Sequence, residues 1–404
     1  MPVVFALGRF ASDLFVVIIS VIFLTIIILD KKYNYLINKI SISFFLWCFL
    51  LIIISLFSND PILSLESSLF YFRFGLFGLA VIYVLNNYSN WHLLSLKFFI
   101  LSYLLTLFIV SIEILFNFNL VIYLMTGYGQ YVQSLVYPNN RITGNFGEDV
   151  MLGSFIARTM PIFLAIFLVR LNFFSSLKIF FIFLLIFITI IIAFLSHERA
   201  SIFYILMSVT ILLLCLNVKN KYLYLIISSP IILLSFTLYL NKTFFERFIV
   251  HTYNQISSAK FLSFSDHYLN YYQTAFQIFL ENSFFGIGPK IYRLECLKYV
   301  TNVDPCNTHP HNIYLQLLSE VGLIASTPVI LLLIVFIYII LRHIFSKLFL
   351  KKEFLNNYQI CLSIACFVFL FPFIPTGSFF NNYLNCIFFF SSAMLLQSFK
   401  FIKS

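Results

Sequence analysis

Long apolar runs are the feature that most constrains how this chain can fold. Eleven of them are nearly free of charged residues, and each is close to the roughly 20 apolar residues that a membrane-spanning helix needs. With 61% hydrophobic and only 10% charged residues, no soluble fold could bury this much apolar surface. Strands of a membrane barrel would be about half as long and would alternate in polarity. The sequence therefore predicts an all-α polytopic membrane protein whose spans lie at 11–29, 41–57, 70–86, 98–117, 150–169, 179–195, 200–217, 222–240, 320–341, 358–375 and 380–398.

Lysines and arginines set the expected orientation. Eleven spans put one set of alternate loops on the same side: 30–40, 87–97, 170–178, 218–221, 342–357 and the tail 399–404. These loops are strongly basic and contain only two acids, Asp30 and Glu353. By the positive-inside rule this side is cytoplasmic, so the N-terminus is expected outside and the C-terminus inside.

The chain is expected to form a single membrane domain, 1–404, with one large outside loop. That loop, 241–319, is too long for a plain connector and is therefore expected to be functional. It contains a predicted helix at 266–281, followed by the turn GIGP at 286–289. No internal repeat of the kind seen in inverted-repeat transporters is evident.

Several basic residues lie outside or within spans, against the positive-inside rule. They favour an anionic, lipid-linked substrate on the outer face and argue against nucleic acid as a partner there. Arg199, at the outer end of a span, could bind phosphate as a bidentate fork, pair with Glu198 or snorkel to the interface. The further candidates are Arg141 and Arg158, and Arg158 could instead pair with Glu148 or Glu113.

Two of the seven cysteines differ from the rest. Five lie inside predicted spans as small apolar side chains, whereas Cys296 and Cys306 flank a short segment of the large outside loop. In an oxidising compartment these two could close a small loop by a disulfide; the alternative is a pair of free thiols.

The stretch THPHNIYLQLLSEVGLI, residues 308–324, places polar side chains directly before an apolar run. Asn307 or Thr308 could cap a helix there, with Pro310 tolerated in its first turn. Helical spacing then lines up one polar face, formed by Asn312, Gln316, Ser319 and Glu320. An interfacial amphipathic turn would explain this pattern. A zinc site would need more ligands than the His-x-His pair supplies.

The run HPHNIYLQLLSEVGLI, preceded by FFGIGPKIYR, resembles the signature of the O-antigen ligase and O-antigen polymerase superfamily. Three further stretches are similar to the same family. They are RITGNFGEDVMLGSFIARTMP at 141–161, SHERAS at 196–201 and FPFIPTGSFFNN at 371–382.

The resemblance implies a GT-C-type, inverting glycosyltransferase of the bacterial inner membrane with its active site facing the periplasm. Such an enzyme takes a glycan from undecaprenyl diphosphate and needs neither a nucleotide sugar nor a metal or other cofactor. A ligase passes the glycan to lipid A-core, whereas a polymerase passes it to another lipid-linked glycan. The ligase reading is preferred here, with polymerase as the alternative.

By the same resemblance, the family's essential histidine corresponds to His311 and its arginine at the outer end of a span to Arg199. His311 suits a general base, because an imidazole with a pKa near 6.5 can accept a hydroxyl proton at neutral pH; it could instead bind the diphosphate as a cation. His309 is expected to be structural. Asn312, Gln316 and Glu320 are further expected substrate contacts.

Two features depart from the family pattern. Many members carry an arginine early in the helix before GIGP, where this chain has His267. Many also have twelve spans with both ends inside, whereas eleven are counted here. A transporter or flippase of lipid-linked sugars is a competing class, since it too would need cations for a diphosphate.

Topology fusions test the predicted orientation. Because the basic loops fall in phase, reporters fused after Lys32, Lys221 or Lys352 should read cytoplasmic, and reporters fused within 245–300 should read periplasmic. A cytoplasmic signal from 245–300 would put His311 on the wrong side of the membrane for periplasmic chemistry.

Overall fold

The computed structural model describes residues 1–127, 141–170, 176–216, 242–258, 266–299 and 306–400, with four single positions between 228 and 239. Throughout these residues the regular structure is helical, without a β-strand. The first helices are α1 (Pro2–Ala6), α2 (Arg9–Leu29), α3 (Lys39–Leu56), α4 (Pro61–Ser68), α5 (Phe72–Asn87), α6 (Trp91–Phe116) and α7 (Leu120–Thr126). Then come α8 (Leu152–Arg170), α9 (Ser176–Leu195), α10 (Arg199–Cys215), α11 (Lys242–Phe245) and α12 (His251–Ser258). The last are α13 (Asp266–Glu281), α14 (Tyr292–Glu295), α15 (Ile313–Phe349), α16 (Asn357–Leu370) and α17 (Asn382–Ser398).

The long apolar helices agree with a multi-pass membrane protein. Within the described part, six helical stretches are long and apolar enough to cross a membrane: Arg9–Leu29, Lys39–Leu56, Pro61–Asn87, Trp91–Phe116, Leu152–Val169 and Ile313–Phe349. Three shorter apolar helices are Phe183–Leu195, Arg199–Cys215 and Asn357–Leu370. Each predicted run coincides with a helix except 222–240, which lies largely outside the described residues. The count of eleven spans, and the twelve-span alternative, stay predictions.

Helix α8 forms the centre of the bundle. In its most apolar stretch 83% of the residues are buried, whereas the corresponding share is 28% in α2 and in α3. It packs against α6, α9, α10 and α16, while α17 packs against α2, α5 and α16. The outer helices leave many large apolar side chains exposed, which fits lipid as the surrounding solvent.

The loops separate into two ends of the bundle as the basic pattern predicts. Loops expected outside contact one another at one end, called here the first end. The contacts there include Asn145 to the carbonyl of Ala6, Asn382 to Asp13, Lys290 to Glu66 and Asn59 to Glu295. Loops expected inside meet at the second end, through Asn86 with Gln397, Lys347 with the carbonyl of Leu216, and His92 with Tyr358. Which end faces the cytoplasm stays a prediction.

Helix α15 is broken at Gly322, and a neighbouring segment repairs the break. Gly322 has φ 68° and ψ −178°, so the helical hydrogen-bond ladder stops there. The segment 283–288 lies alongside, and four backbone hydrogen bonds join it to the residues around Gly322. They run from Leu323 N–H to the Ser283 carbonyl (2.8 Å), Ile324 to Phe284 (3.3 Å), Ile287 to Ser319 (3.1 Å) and Gly288 to Glu320 (2.7 Å). Irregular backbone at membrane depth is tolerated when protein covers it in this way.

Two helix boundaries near the first end differ from the sequence prediction. Helix α15 begins at Ile313, and its N-cap is Asn312 rather than Asn307 or Thr308. Pro310 therefore precedes the helix instead of occupying its first turn. Helix α16 ends at Leu370, so residues 371–375, predicted to end that span, instead belong to an irregular segment, 371–381. By contrast, the helix predicted at 266–281 lies there as α13.

A substitution at Gly322 tests how much the fold depends on this break. A Cβ added there would overlap the backbone of Phe284 and Phe285, and φ 68° is strained for any L side chain. We expect Gly322→Ala to lower the free energy of unfolding by about 2 kcal/mol or more, measured by thermal unfolding in detergent.

Gly78→Ala is the matched control, because a Cβ at this helical glycine would meet its nearest neighbours at an ordinary 3.8 Å. Equal melting temperatures for the two variants would contradict the role assigned to the break.

Candidate active site

The histidine turn, residues 307–312, lies between the large loop and α15 at the first end. His311 has φ 57°, a left-handed conformation that is uncommon for a residue with a side chain. This conformation turns its carbonyl toward residue 376, whose N–H donates to it at 2.8 Å. The irregular segment 371–381 is thereby attached to the histidine turn.

His309 is held on both ring nitrogens. Its Nε2 is 3.3 Å from the carbonyl of Thr376, and its Nδ1 is 3.0 Å from the hydroxyl of Thr308. A carbonyl can only accept, so Nε2 carries the proton and Nδ1 accepts from the hydroxyl. Burial lowers the pKa of His309 to about 4, so the ring is neutral at physiological pH. These contacts give His309 a structural function.

His311 is half-buried and has a different environment. Its Nε2 is 2.8 Å from the side-chain nitrogen of Asn307. Burial lowers the pKa of His311 below its ordinary value, and a hydrogen bond to the backbone of Thr376 opposes that shift. An imidazole in this state is neutral at pH 7 and retains a lone pair that can accept a proton.

Helix α13 forms an aromatic wall beside His311. The ring of Tyr268 packs edge-on to His311 at 5.5 Å between centroids, and the ring of Tyr271 lies at 6.0 Å. His267 belongs to the first turn of this helix, but its side chain is outside the described part of the structure. Its proposed contact with phosphate is thus an expectation from sequence only.

Two arginines are linked to this wall by their charge. Arg199, the first residue of α10, is exposed; its charge interacts with Tyr268 and is repelled by that of Arg141, and its Nη1 is 3.4 Å from the hydroxyl of Thr252. Two like charges this close favour binding of an anion that interacts with both.

From the sequence, an ion pair with Glu198 was one alternative for Arg199. The structure gives the carboxylate of Glu198 other partners. Its carboxylate accepts from the N–H groups of Gly153 and Ser154, at 2.7 and 3.0 Å, and from the hydroxyl of Ser201 at 2.8 Å. It therefore satisfies N–H groups at the start of α8, where negative charge is favourable.

Arg158 lies inside the bundle, and only 4% of it is exposed. Its guanidinium lies over the rings of Tyr204 and Phe369, and it donates to the hydroxyl of Ser154. Its Nε is among the buried polar atoms of the described chain that have no hydrogen-bond partner. The expected partner Glu113 instead accepts from the N–H groups of Thr143 and Gly144, at 3.1 and 2.7 Å.

An apolar groove of about 700 Å³ runs between α3, α5, α15 and α17. It reaches from Lys39, at the second end, to residues 376–379, at the first end. Its walls are almost wholly apolar, but Arg158 and Thr376 contribute polar atoms. The Thr376 hydroxyl, like the Nε of Arg158, is buried without a partner among the hydrogen bonds that the structure describes.

The polar face predicted on α15 is used mainly inside the protein. Asn312 accepts from the N–H groups of Tyr314 and Leu315 and donates to the carbonyl of Pro372. Gln316 is only 2% exposed. Its amide nitrogen donates hydrogen bonds to the carboxylate of Glu320 and the hydroxyl of Ser378, and its amide oxygen accepts one from the N–H of Phe379. Glu320 is fully buried beside the repaired break. In this structure the three side chains position the segments around the histidine turn.

Cys296 and Cys306 are joined by a disulfide in the structure, with their Cα atoms 5.8 Å apart. Cys306 is adjacent to Asn307, and the sulfur of Cys296 lies 3.9 Å from the carbonyl of Asn307. The bridge thereby anchors the start of the histidine turn to the short helix α14.

Sequence reasoning missed two residues that the structure brings to His311. Thr376 lies in the stretch 371–382, which resembles the superfamily, but the sequence did not indicate Thr376 itself as a site residue. Asn307 was considered only as a helix cap. In the described residues, no three His, Cys, Asp or Glu side chains come together as a metal site would require.

Part of the chain is similar to a known protein family. Residues 182–330 match the family model described as O-antigen ligase. The match includes Arg199, α13, the disulfide, the histidine turn and the start of α15, and it confirms the resemblance to the O-antigen ligase and polymerase superfamily. No curated protein sequence matches the chain.

The disulfide can be tested by thiol labelling. In intact cells a membrane-impermeant maleimide should label neither Cys296 nor Cys306 until a reductant is added, since a disulfide has no thiolate to react. A variant that retains only these two cysteines gives the cleanest readout, because the other five are buried. Labelling of both positions without reductant would show that the bridge is absent in the cell.

Proposed function

We propose that this protein is an O-antigen ligase. It would transfer a glycan from undecaprenyl diphosphate to lipid A-core at the periplasmic face of the bacterial inner membrane. The family match supports glycan ligase or polymerase chemistry at a coarse level. One observation favours a lipid-linked diphosphate as donor: the histidine turn is bonded through Thr376 to the polar mouth of an apolar groove.

The groove suits the lipid part of such a donor. It runs across the bundle between its two ends, and a polyprenyl chain is apolar along its whole length, as the groove walls are. Two residues that line it, Arg158 and Thr376, each carry a buried donor that the described protein leaves without a hydrogen-bond partner, the Nε of Arg158 and the hydroxyl of Thr376. We propose that phosphate oxygens of the donor accept from them, since an unsatisfied buried donor costs about 1–3 kcal/mol.

In the proposed reaction, the hydroxyl oxygen of the acceptor sugar attacks the anomeric carbon of the donor glycan. The bond from that carbon to the phosphate oxygen breaks, and the new glycosidic bond forms on the opposite face, which inverts the configuration. The hydroxyl proton passes to His311, which is half-buried and neutral and so suits a general base. Undecaprenyl diphosphate leaves with one more negative charge than it had as an ester.

Arg199 and Arg141 are proposed to stabilise that leaving group. Their mutual repulsion is relieved when an anion binds to both, and the benefit grows as charge develops on the diphosphate. Arginine suits this role because its planar fork pairs with phosphate oxygens in a bidentate manner. We propose no metal ion in this step; the arginines supply the positive charge.

An O-antigen polymerase would use the same donor and the same base, so the family match fits both. The two differ in the acceptor, which a gene deletion reveals. Loss of all O-antigen from lipid A-core on a lipopolysaccharide gel indicates a ligase, whereas core that carries a single repeat unit indicates a polymerase. Unchanged lipopolysaccharide would contradict both.

The two proposed roles predict different failures. His311→Ala should still bind undecaprenyl-diphosphate glycan but transfer it roughly 10²–10⁴-fold more slowly, the usual effect of losing a general base. Arg199→Ala should lose both donor affinity and turnover, and Arg199→Lys should recover only part, because lysine keeps the charge but not the fork. Donor binding and single-turnover transfer by the purified protein are the measurements.

His92→Ala and Arg342→Ala are the controls, since both residues lie at the second end of the bundle. They should leave binding and transfer near the wild-type values. If folded His311→Ala protein transfers glycan at the wild-type rate, His311 is not the base and the proposed mechanism is wrong.

A further inference from the structure

The side chain of Asn307 has only one consistent orientation. Its oxygen is 2.7 Å from the backbone nitrogen of Thr308, and an amide nitrogen in that place would bring two hydrogen-bond donors into repulsive contact. The amide oxygen therefore faces Thr308, and the amide nitrogen faces His311 at 2.8 Å from Nε2. The usual ambiguity between amide oxygen and nitrogen is thus resolved by a backbone donor.

This orientation determines the tautomer of His311. An amide nitrogen can only donate, so Nε2 of His311 must accept and carries no proton. The proton of the neutral ring is then on Nδ1. Burial lowers the pKa of His311 and so favours the neutral ring, which carries a proton on one nitrogen only.

We propose that Asn307 is a positioning residue that holds His311 in the Nδ1–H tautomer, with Nε2 as the base. This inference rests on the proposed function. In it, the amide of Asn307 marks the position at which the acceptor hydroxyl binds: the hydroxyl replaces the amide as the donor to Nε2. When the hydroxyl oxygen bonds to the anomeric carbon, its proton moves to Nε2 and the lipid diphosphate departs with the bonding electrons.

Asn307 is itself held from two sides, as a positioning residue needs to be. Cys306 ties the preceding backbone to Cys296, and the carbonyl of Asn307 lies against that sulfur. On the other side, the N–H of Thr308 fixes the amide oxygen. A side chain on an unanchored loop could not hold a ring tautomer in this way.

The titratable and charged groups around His311 come from several elements. His309 shares the turn, with its ring centroid 4.2 Å from that of His311. Tyr268 and Tyr271 face the ring from α13. One shell further out, Arg199 interacts with Tyr268, and Arg293 of α14 interacts with His309. No carboxylate takes part in these contacts within the described residues, so a new one at position 307 would change the electrostatics of the ring.

The test replaces the amide by an isosteric carboxylate. In Asn307→Asp the new side chain accepts from Nε2–H, so it favours the other tautomer and stabilises the protonated ring. The pKa of His311 should rise by about 1–3 units, and the acid limb of the single-turnover rate should move to higher pH by the same amount. In Asn307→Ala the donor to Nε2 is lost without a new charge, and we expect a rate about 10-fold lower, equivalent to one lost hydrogen bond, with little shift of the pH–rate profile.

Two readouts separate this inference from the proposed function. The first is ¹⁵N NMR of histidine-labelled protein in nanodiscs without substrate, with the His311 signal assigned by its absence in His311→Ala. The second is the pH profile of transfer. Asn356→Asp is the matched control, because Asn356 caps α16 at the second end and aspartate caps a helix as well as asparagine does.

A raised pKa and an Nε2–H signal in Asn307→Asp, with a shifted rate profile, support the proposal. An unchanged tautomer and pKa in the NMR titration overturn it, whatever the activity. If the NMR signal moves but the rate profile does not, Asn307 controls the ring while His311 is not the base, and the proposed mechanism fails instead.

Discussion

The pairing of backbone polar groups in a medium without water is the constraint on which this structure depends. A helix satisfies it unaided, but α15 stops being a regular helix at Gly322, near the first end of the bundle. The chain restores the lost bonds with a different segment, 283–288, which runs antiparallel to the backbone around the break. Because those bonds have fixed geometry, α13 and α14, on either side of that segment, are fixed against α15. The large loop is therefore part of the membrane fold and not an appendage to it.

Residue 376 likewise fixes an irregular segment by backbone hydrogen bonds, here against the histidine turn. Helix α16 ends at Leu370, and the irregular chain that follows has its own backbone groups to satisfy. Thr376 satisfies two of them at the turn, by donating to the carbonyl of His311 and accepting from His309. The same residue lines the apolar groove. One residue thus connects the proposed base to the proposed lipid site.

Much of the fold could be predicted from sequence because its cause is local. A run of apolar residues specifies a spanning helix by length and composition, and the helix at 266–281 has a clear period. The start of α15 could not be predicted in this way, since Asn307, Thr308 and Asn312 are all good helix caps and only tertiary contacts select Asn312. The polar face that contains Gln316 and Glu320 could also be predicted, from the helical spacing of the sequence. That it bonds to Ser378 and Phe379, and is buried, depends on a segment about 60 residues away in the chain.

The electrostatic arrangement explains how one small site could hold both a base and a cluster of cations. His311 must be neutral to accept a proton, and a nearby positive charge helps to keep it so. The ring of Tyr268 packs edge-on to His311, and Tyr268 interacts with the charge of Arg199, which is repelled by that of Arg141. A diphosphate bound between the arginines and the ring would offset their charge and raise the pKa of His311. Under the proposed mechanism, arrival of the donor would therefore make the base stronger at the moment when a proton has to be taken from the acceptor.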